Sequence, residues 1–171
     1  VPLVFDEIQI GFGGTGKVWY FQHLDIVPDI VVFGKKTQLS GIMAQEKYGE
    51  IFNPKNSIRL EVTWDGDVAD MVRCKYIIKA YKENNILDNV QKRGKQLIKG
   101  LSEIEQLSNL IVGFDLSNTE KRDILVNESY KNGLICNKTG QKSIRFRPNL
   151  NISNIEIGLA LEIIKETINK C

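Results

Sequence analysis

The sequence predicts an α/β fold: part of a mostly parallel sheet, followed by a smaller α+β domain. Three observations carry this. Two short apolar runs, at residues 3–8 and 29–33, are bounded by glycine or proline and read as buried strands of a parallel sheet. Two stretches of helical spacing then run from about Asp67 past Leu101. Beyond them, short strand patterns alternate with a helix and end in a well-capped last helix.

In chain order, Leu3 to Ile8 forms the first strand, and the glycine loop Gly11–Gly16 leads into a short irregular or helical stretch with Trp19, Tyr20, Phe21 and His23. Asp29 to Phe33 is the second strand and Gly41 to Ala44 a third candidate. A long helix is expected from Asp67 to Glu83, with Val68, Met71, Val72, Cys74, Ile77 and Ile78 forming a broad buried stripe. Asn84-Asn85 breaks it and marks the boundary between residues 1–84 and 85–171. A second helix carries Val90, Leu97, Leu101 and Ile104 at helical spacing. Leu110 to Phe114 reads as a strand, and Thr119 to Asn132 as a helix stopped by Gly133. Leu134 to Cys136 and Ser143 to Phe146 read as a strand pair around a turn at Asn137 to Gly140. Ser153 and Glu156 have capping-box spacing, Ile152 and Ile157 can form a hydrophobic staple, and Ile157, Leu161, Ile164 and Ile168 make the buried stripe of the last helix.

The bulk numbers narrow the function classes. The 171 residues suffice for one ordinary domain or parts of two, and a hydrophobic fraction of 42% supports a core. A net charge of +2 gives no electrostatic case for nucleic acid or an anionic membrane surface. No apolar run approaches the length of a membrane span. Cys74, Cys136 and Cys171 have no metal-ligand spacing and do not suggest a disulfide framework; a reducing compartment, the cytoplasm, is expected. The chain opens at Val1-Pro2 directly on a strand, which reads as an internal start.

The glycine loop Gly11-Phe12-Gly13-Gly14-Thr15-Gly16-Lys17-Val18 matches three motifs at once. As a dinucleotide fingerprint it needs a helix opening in the loop and an acid ending the next strand, whereas Asp29 opens that strand. As a P-loop it has Val18 where a magnesium-ligating Ser or Thr belongs. As a kinase glycine loop it is complete, but no His-Arg-Asp or Asp-Phe-Gly follows. A plain flexible turn is the remaining reading.

Asp6 stands near the end of the first apolar run and Lys35 just beyond the second. In open α/β sheets ligands sit beyond the carboxyl ends of the strands, so a carboxylate and an amine converge on one crevice. That pair suits pyridoxal 5'-phosphate, where a lysine forms the Schiff base and an aspartate keeps the pyridine nitrogen protonated.

Phe5-Asp6-Glu7-Ile8-Gln9, Gly11 to Lys17, and Pro28-Asp29-Ile30-Val31-Val32-Phe33-Gly34-Lys35 together resemble the class III, fold type I aminotransferases. Gly34-Lys35-Lys36-Thr37-Gln38, Gly41 to Ala44, Thr63-Trp64 and Ser143-Ile144-Arg145-Phe146-Arg147-Pro148 are most similar to the lysine 6-aminotransferases within that class. The resemblance covers nearly the whole chain and corresponds to the C-terminal portion of the family: the end of the large pyridoxal-phosphate domain and the small domain.

The resemblance implies roles residue by residue. Lys35 matches the catalytic Schiff-base lysine, with Lys36 the rival; strand-like neighbours face opposite ways, so one of them enters the site. Asp6 would pair with the pyridinium nitrogen and Gln9 with the ring oxygen. Thr63 would bind the cofactor phosphate across a homodimer interface. Arg145 would grip a substrate carboxylate, with Arg147 its rival. Glu7 receives no chemistry and His23 a structural or interface role. The implied substrates are L-lysine and 2-oxoglutarate; ornithine, acetylornithine and 4-aminobutyrate enzymes share the core motifs. The other reading is a truncated paralogue that serves only as a dimerising or interaction module.

Departures from the family pattern are local. Thr63-Trp64-Asp65-Gly66-Asp67 stands where Thr-Trp-Gly-Gly-Asn is usual. A carboxylate at ~6 Å from the phosphate, at an effective dielectric of ~20, would repel each phosphate charge by on the order of 3 kcal/mol unless it turns into water. Asp67 can instead cap the following helix. Leu107-Ser108-Asn109 replaces an Arg-Gly-rich turn, and Asn149 a second proline. The family's other phosphate-binding turn, its stacking aromatic ring and its acidic switch have no counterpart in these 171 residues.

Overall fold

The computed structural model describes residues 1–52, 55, 63–104 and 113–170. The sequence expectations at Leu110 to Val112, Leu107 to Asn109 and Cys171 lie outside them. The chain divides into two compact units, Val1–Val90 and Gln91–Cys171.

The first unit is built on a three-stranded sheet of β1 (Val4–Asp6), β2 (Ile30–Phe33) and β3 (Gly41–Ala44). β1 runs parallel to β2, pairing Val4 with Ile30 and Asp6 with Val32; β3 returns antiparallel, pairing Phe33 with Gly41. Asp29 fixes the start of the register, because its carboxylate accepts the Leu3 N–H at 2.8 Å and is also paired with Lys47. Edge-to-face rings, Phe33 on Trp19, Trp19 on Phe12 and Phe12 on Tyr81, link the end of β2 through the glycine loop to helix α1 (Val68–Glu83). Tyr81 also donates its hydroxyl to the Phe12 carbonyl at 2.9 Å.

Two burial expectations fail here. The first run is not buried, with Leu3 and Val4 44% and 51% exposed, whereas the second holds, with Val31 at 5% and its β2 neighbours half-buried. The stripe of α1 is not buried either. Cys74 is its one buried residue, while Val68 (71%), Met71, Val72, Tyr76 and Ile78 face outward. The apolar spacing does form a helix, but no described residue of this unit covers that face. Asp67 caps α1, accepting from Ala69 N at 2.7 Å and Asp70 N at 3.1 Å.

Helix α2 (Ile86–Ser102) passes through the boundary into the second unit. There β4 (Gly113–Asp115), β5 (Asn137–Thr139) and β6 (Ser143–Arg145) form an antiparallel sheet in the order β4-β6-β5, with α3 (Thr119–Lys131) and α4 (Asn154–Ile168). Its core is Leu101, Ile104, Phe114, Leu116, Leu125, Ile144, Ile164 and Ile168. Asn118 caps α3 through Lys121 N, and Gly133 follows the helix at φ +87°. The α4 capping box is present as read, Ser153 Oγ accepting Glu156 N at 3.2 Å and Glu156 accepting Ser153 N at 2.8 Å. β5 stands three residues later than its apolar pattern suggested. Thr139 pairs with Ser143, so the loop is residues 140–142, with Gly140 in the left-handed region at φ +55°. Leu134 and Cys136 pack against the core just before the strand begins.

Candidate active site

Because β1 and β2 are parallel neighbours, the residues after both strands emerge at one edge of the sheet. Asp6 ends β1. It is exposed, and its Oδ1 accepts Ile8 N at 3.0 Å. Lys35 opens a 3₁₀ turn, Lys35–Thr37, directly beyond β2 and Gly34. A Cβ at Gly34 would lie 2.7 Å from Ser40 Oγ, a contact that the exposed serine relieves by rotating. Lys35 itself is left-handed at φ +54°, and the turn ends in a second left-handed residue, Gln38 at φ +55°. Each such conformation costs a non-glycine residue on the order of 1–3 kcal/mol. Three bonds hold the turn: Gln38 N and Gln38 Nε2 donate to the Lys35 carbonyl at 3.0 and 3.2 Å, and the fully buried Thr37 hydroxyl donates to the Leu39 carbonyl.

The two rival lysines differ in what they touch. Lys36 is half-buried, and its Nζ donates to the carbonyls of Gln9 and Gly11, the latter at 3.0 Å. Lys35 is exposed, and its Nζ has no hydrogen bond or ion pair among the described residues. Gln9 is exposed, with its carbonyl taken by Lys36.

Glu7, which the sequence left without a role, supports the segment beside these residues. It is 1% exposed, and its two carboxylate oxygens accept Tyr20 N and Phe21 N at 3.0 Å each. The strand period offered a signal: Glu7 follows Asp6 and so faces the other way, into the protein. Thr37 gave none, since a threonine between a lysine and a glutamine is ordinary in sequence.

Three N–H groups of the glycine loop are taken by nearby backbone: Gly11 N by Glu7 O, Gly16 N by Gly13 O and Gly13 N by Val18 O. A 3₁₀ turn, Tyr20–His23, follows it, not a helix, so the phosphate-cradling readings lose their geometry. His23 Nε2 lies 3.0 Å from Thr15 Oγ1.

Thr63 and Asp65 are both exposed in the turn of residues 63–66, before the Asp67 cap. In the second unit, Arg145 ends β6 opposite Gly113 on one side and Asn137 on the other. Its Nε is buried and has no partner among the described residues. Arg147 lies past the strand and is exposed. Gly113 keeps the backbones close: a Cβ there would fall 1.9 Å from Ile144 O and 2.9 Å from Arg145 Cα.

The donor set fits pyridoxal 5'-phosphate. In the first unit, an acceptor-only carboxylate suits a protonated ring nitrogen, and an amine unengaged among the described residues at the same sheet edge suits an aldehyde.

The family model for class III aminotransferases matches residues 1–168. The L-lysine-epsilon aminotransferase of Mycobacterium bovis is 34% identical over 178 residues, covering 97% of this chain and 40% of that protein. The acetylornithine aminotransferase of a Synechocystis species is 33% identical, over 98% of this chain and 42% of that protein. A solved lysine aminotransferase from Mycobacterium tuberculosis, in its internal aldimine form, superposes with a TM-score of 0.87 at 32% identity, covering 99% of this chain and 42% of that one. The chain thus spans about two fifths of the length of the curated relatives it matches. With a family model matched over nearly its full length, the chain belongs to the class III aminotransferases, and its mixed α/β architecture is that of fold type I.

Proposed function

We propose that this chain is the C-terminal portion of a pyridoxal-phosphate-dependent L-lysine 6-transaminase, which moves the ε-amino group of lysine to 2-oxoglutarate. Residues 1–84 would end the cofactor domain and residues 85–171 form the small domain. The observation that carries this reading is the shared sheet edge of Asp6 and Lys35, with Lys35 Nζ unengaged among the described residues where Lys36 is tied to two carbonyls. The 34% identity to lysine-epsilon aminotransferases supports the substrate; acetylornithine enzymes at 33% and 4-aminobutyrate enzymes at 31% stand close behind.

When bound, the cofactor supplies an aldehyde and an electron-withdrawing ring. Asp6 would hold the proton on the ring nitrogen, because its carboxylate accepts and cannot donate. Gln9 would donate its amide to the ring oxygen, and Thr63 its hydroxyl to a phosphate oxygen. Lys35 would tether the aldehyde carbon through Nζ. Once displaced by the substrate amine, Nζ would carry a proton from one carbon to another as general base and then acid. Arg145 would hold a substrate carboxylate by parallel hydrogen bonds from its guanidinium. The exposed apolar face of α1, next in sequence to Thr63, supports a homodimer in which Thr63 serves the partner's cofactor. The three cysteines, without disulfide-type spacing, support a reducing compartment such as the cytoplasm.

A second reading, a cofactor-free dimerising module, is favoured by the same exposed face together with exposed Thr63 and Trp64. A visible-absorbance titration with pyridoxal 5'-phosphate separates the two. The transaminase reading expects a band that Lys35→Ala abolishes and Lys36→Ala retains in weakened form. Absence of any band in the unmodified chain favours the module.

A further inference from the structure

We propose that Lys36 is a positioning residue that ties the segment after Asp6 to the turn bearing Lys35, and so sets the spacing between the groups that would hold opposite ends of the cofactor. This rests on the reading of Asp6 and Lys35 given above.

Lys36 is separated from Gln9 by 27 residues and from Gly11 by 25, yet its one ammonium donates to both of their carbonyls. An ammonium with two carbonyl acceptors makes charge-assisted bonds, stronger than neutral ones. Two carbonyls cannot hydrogen-bond each other, so a donor shared between them is what draws them together. The loop is shaped around the contact. A Cβ at Gly14 would lie 3.2 Å from Lys36 Nζ and 2.6 Å from Ile10 O, and one at Gly11 would lie 2.6 Å from Glu7 O. Glycine at both positions lets the turn close under the ammonium.

The opposite charge holds the loop's far end. Buried Glu7 takes the N–H groups of Tyr20 and Phe21. The glycine loop is therefore clasped at its start by a cation reaching from the Lys35 turn and at its exit by an anion at the end of β1. The Lys35 turn is in turn closed by Thr37 and Gln38, so a pull on Lys36 is transmitted to its neighbour. Lys36 accordingly has a role that needs no reaction at its own nitrogen.

The test uses the full chain with Lys36→Met, which removes the donors, and Lys36→Arg, which keeps them. Two quantities are read: the pyridoxal 5'-phosphate concentration at half-saturation of the visible band, and the hydrogen exchange of amides in residues 9–16. Lys36→Met is expected to raise the first about tenfold and to speed the second about tenfold, and Lys36→Arg to stay within about threefold on both. Values for Lys36→Met equal to the unmodified chain on both measures would overturn the proposal. If Lys36→Met does not fold, Lys36→Arg decides: near-native values support the tie, and loss of both the band and the exchange protection in a folded protein overturns it. If the unmodified chain shows no band, the transaminase reading fails on its own, and the exchange measurement still judges whether Lys36 holds the loop.

Discussion

Glu7 shows how much one side chain can hold. Its carboxylate accepts two backbone N–H groups while nearly excluded from water, so both oxygens have partners and the charge is spread over them. In Glu7→Gln one acceptor becomes a donor that faces another donor. That change is expected to cost about 1–3 kcal/mol of unfolding free energy, measured by urea denaturation, because a buried amide loses its bond. Glu7→Ala, which frees both N–H groups, is expected to cost more. The positions of Asp6 and Lys35 at the ends of neighbouring strands were legible in the sequence because strand ends announce themselves through apolar runs and the residues that stop them. The buried grip of Glu7 and Thr37 was not, because it depends on where a loop returns after 13 residues or on how a turn folds under itself.

At the scale of elements, local chemistry was the legible part. The Ser153–Glu156 box and the Asp67 cap involve groups two or three residues apart, and both stand as the sequence indicated. Ser153→Ala is expected to cost about 1 kcal/mol, seen as a lower denaturation midpoint at unchanged slope. Hairpin register was less legible. Leu134 to Cys136 has the apolar look of a strand, but Gly140 supplies the left-handed turn and moves the pairing on to Asn137–Thr139. Gly113 carries the sharper consequence. Its missing side chain lets β4 approach Ile144 and Arg145 of β6, and the atoms in the way are backbone, which cannot rotate aside. Gly113→Ala is therefore expected to destabilise the chain by about 3 kcal/mol, read in the same denaturation series.

For the whole molecule, charge and exposed surface set the expected behaviour. Asp123 is held below the usual carboxylate range by hydrogen bonds from Lys138 and then Arg122, Glu156 by the Ser153 backbone N–H, and Asp29 by the Leu3 N–H and then Lys47. In each case the folded chain binds its proton less readily than the unfolded one. The resulting stability is complete above about pH 4–5, the ordinary carboxylate range, and is lost as pH falls through the lowered folded values. A thermal midpoint that declines from about pH 5 to about pH 3 is the expected result, and a flat profile there would contradict these pairings. No helix among the described residues is long and apolar enough to cross a membrane. The outward Val68, Met71, Val72 and Tyr76 of α1 form a contiguous helical face that no described residue covers, and in the proposed homodimer it would meet the second subunit. Sedimentation equilibrium is expected to show self-association that Met71→Lys weakens. The sequence identified these residues as apolar and helical; what covers them is not encoded in helical spacing, so their exposure was not legible.

The transaminase account depends on which nitrogen meets the aldehyde. Incubation of the chain with pyridoxal 5'-phosphate, reduction with borohydride and peptide mapping by mass spectrometry tests this directly. One dominant adduct on Lys35 is expected, with Lys36 unmodified. A dominant adduct on Lys36, or an even scatter over surface lysines, would contradict it.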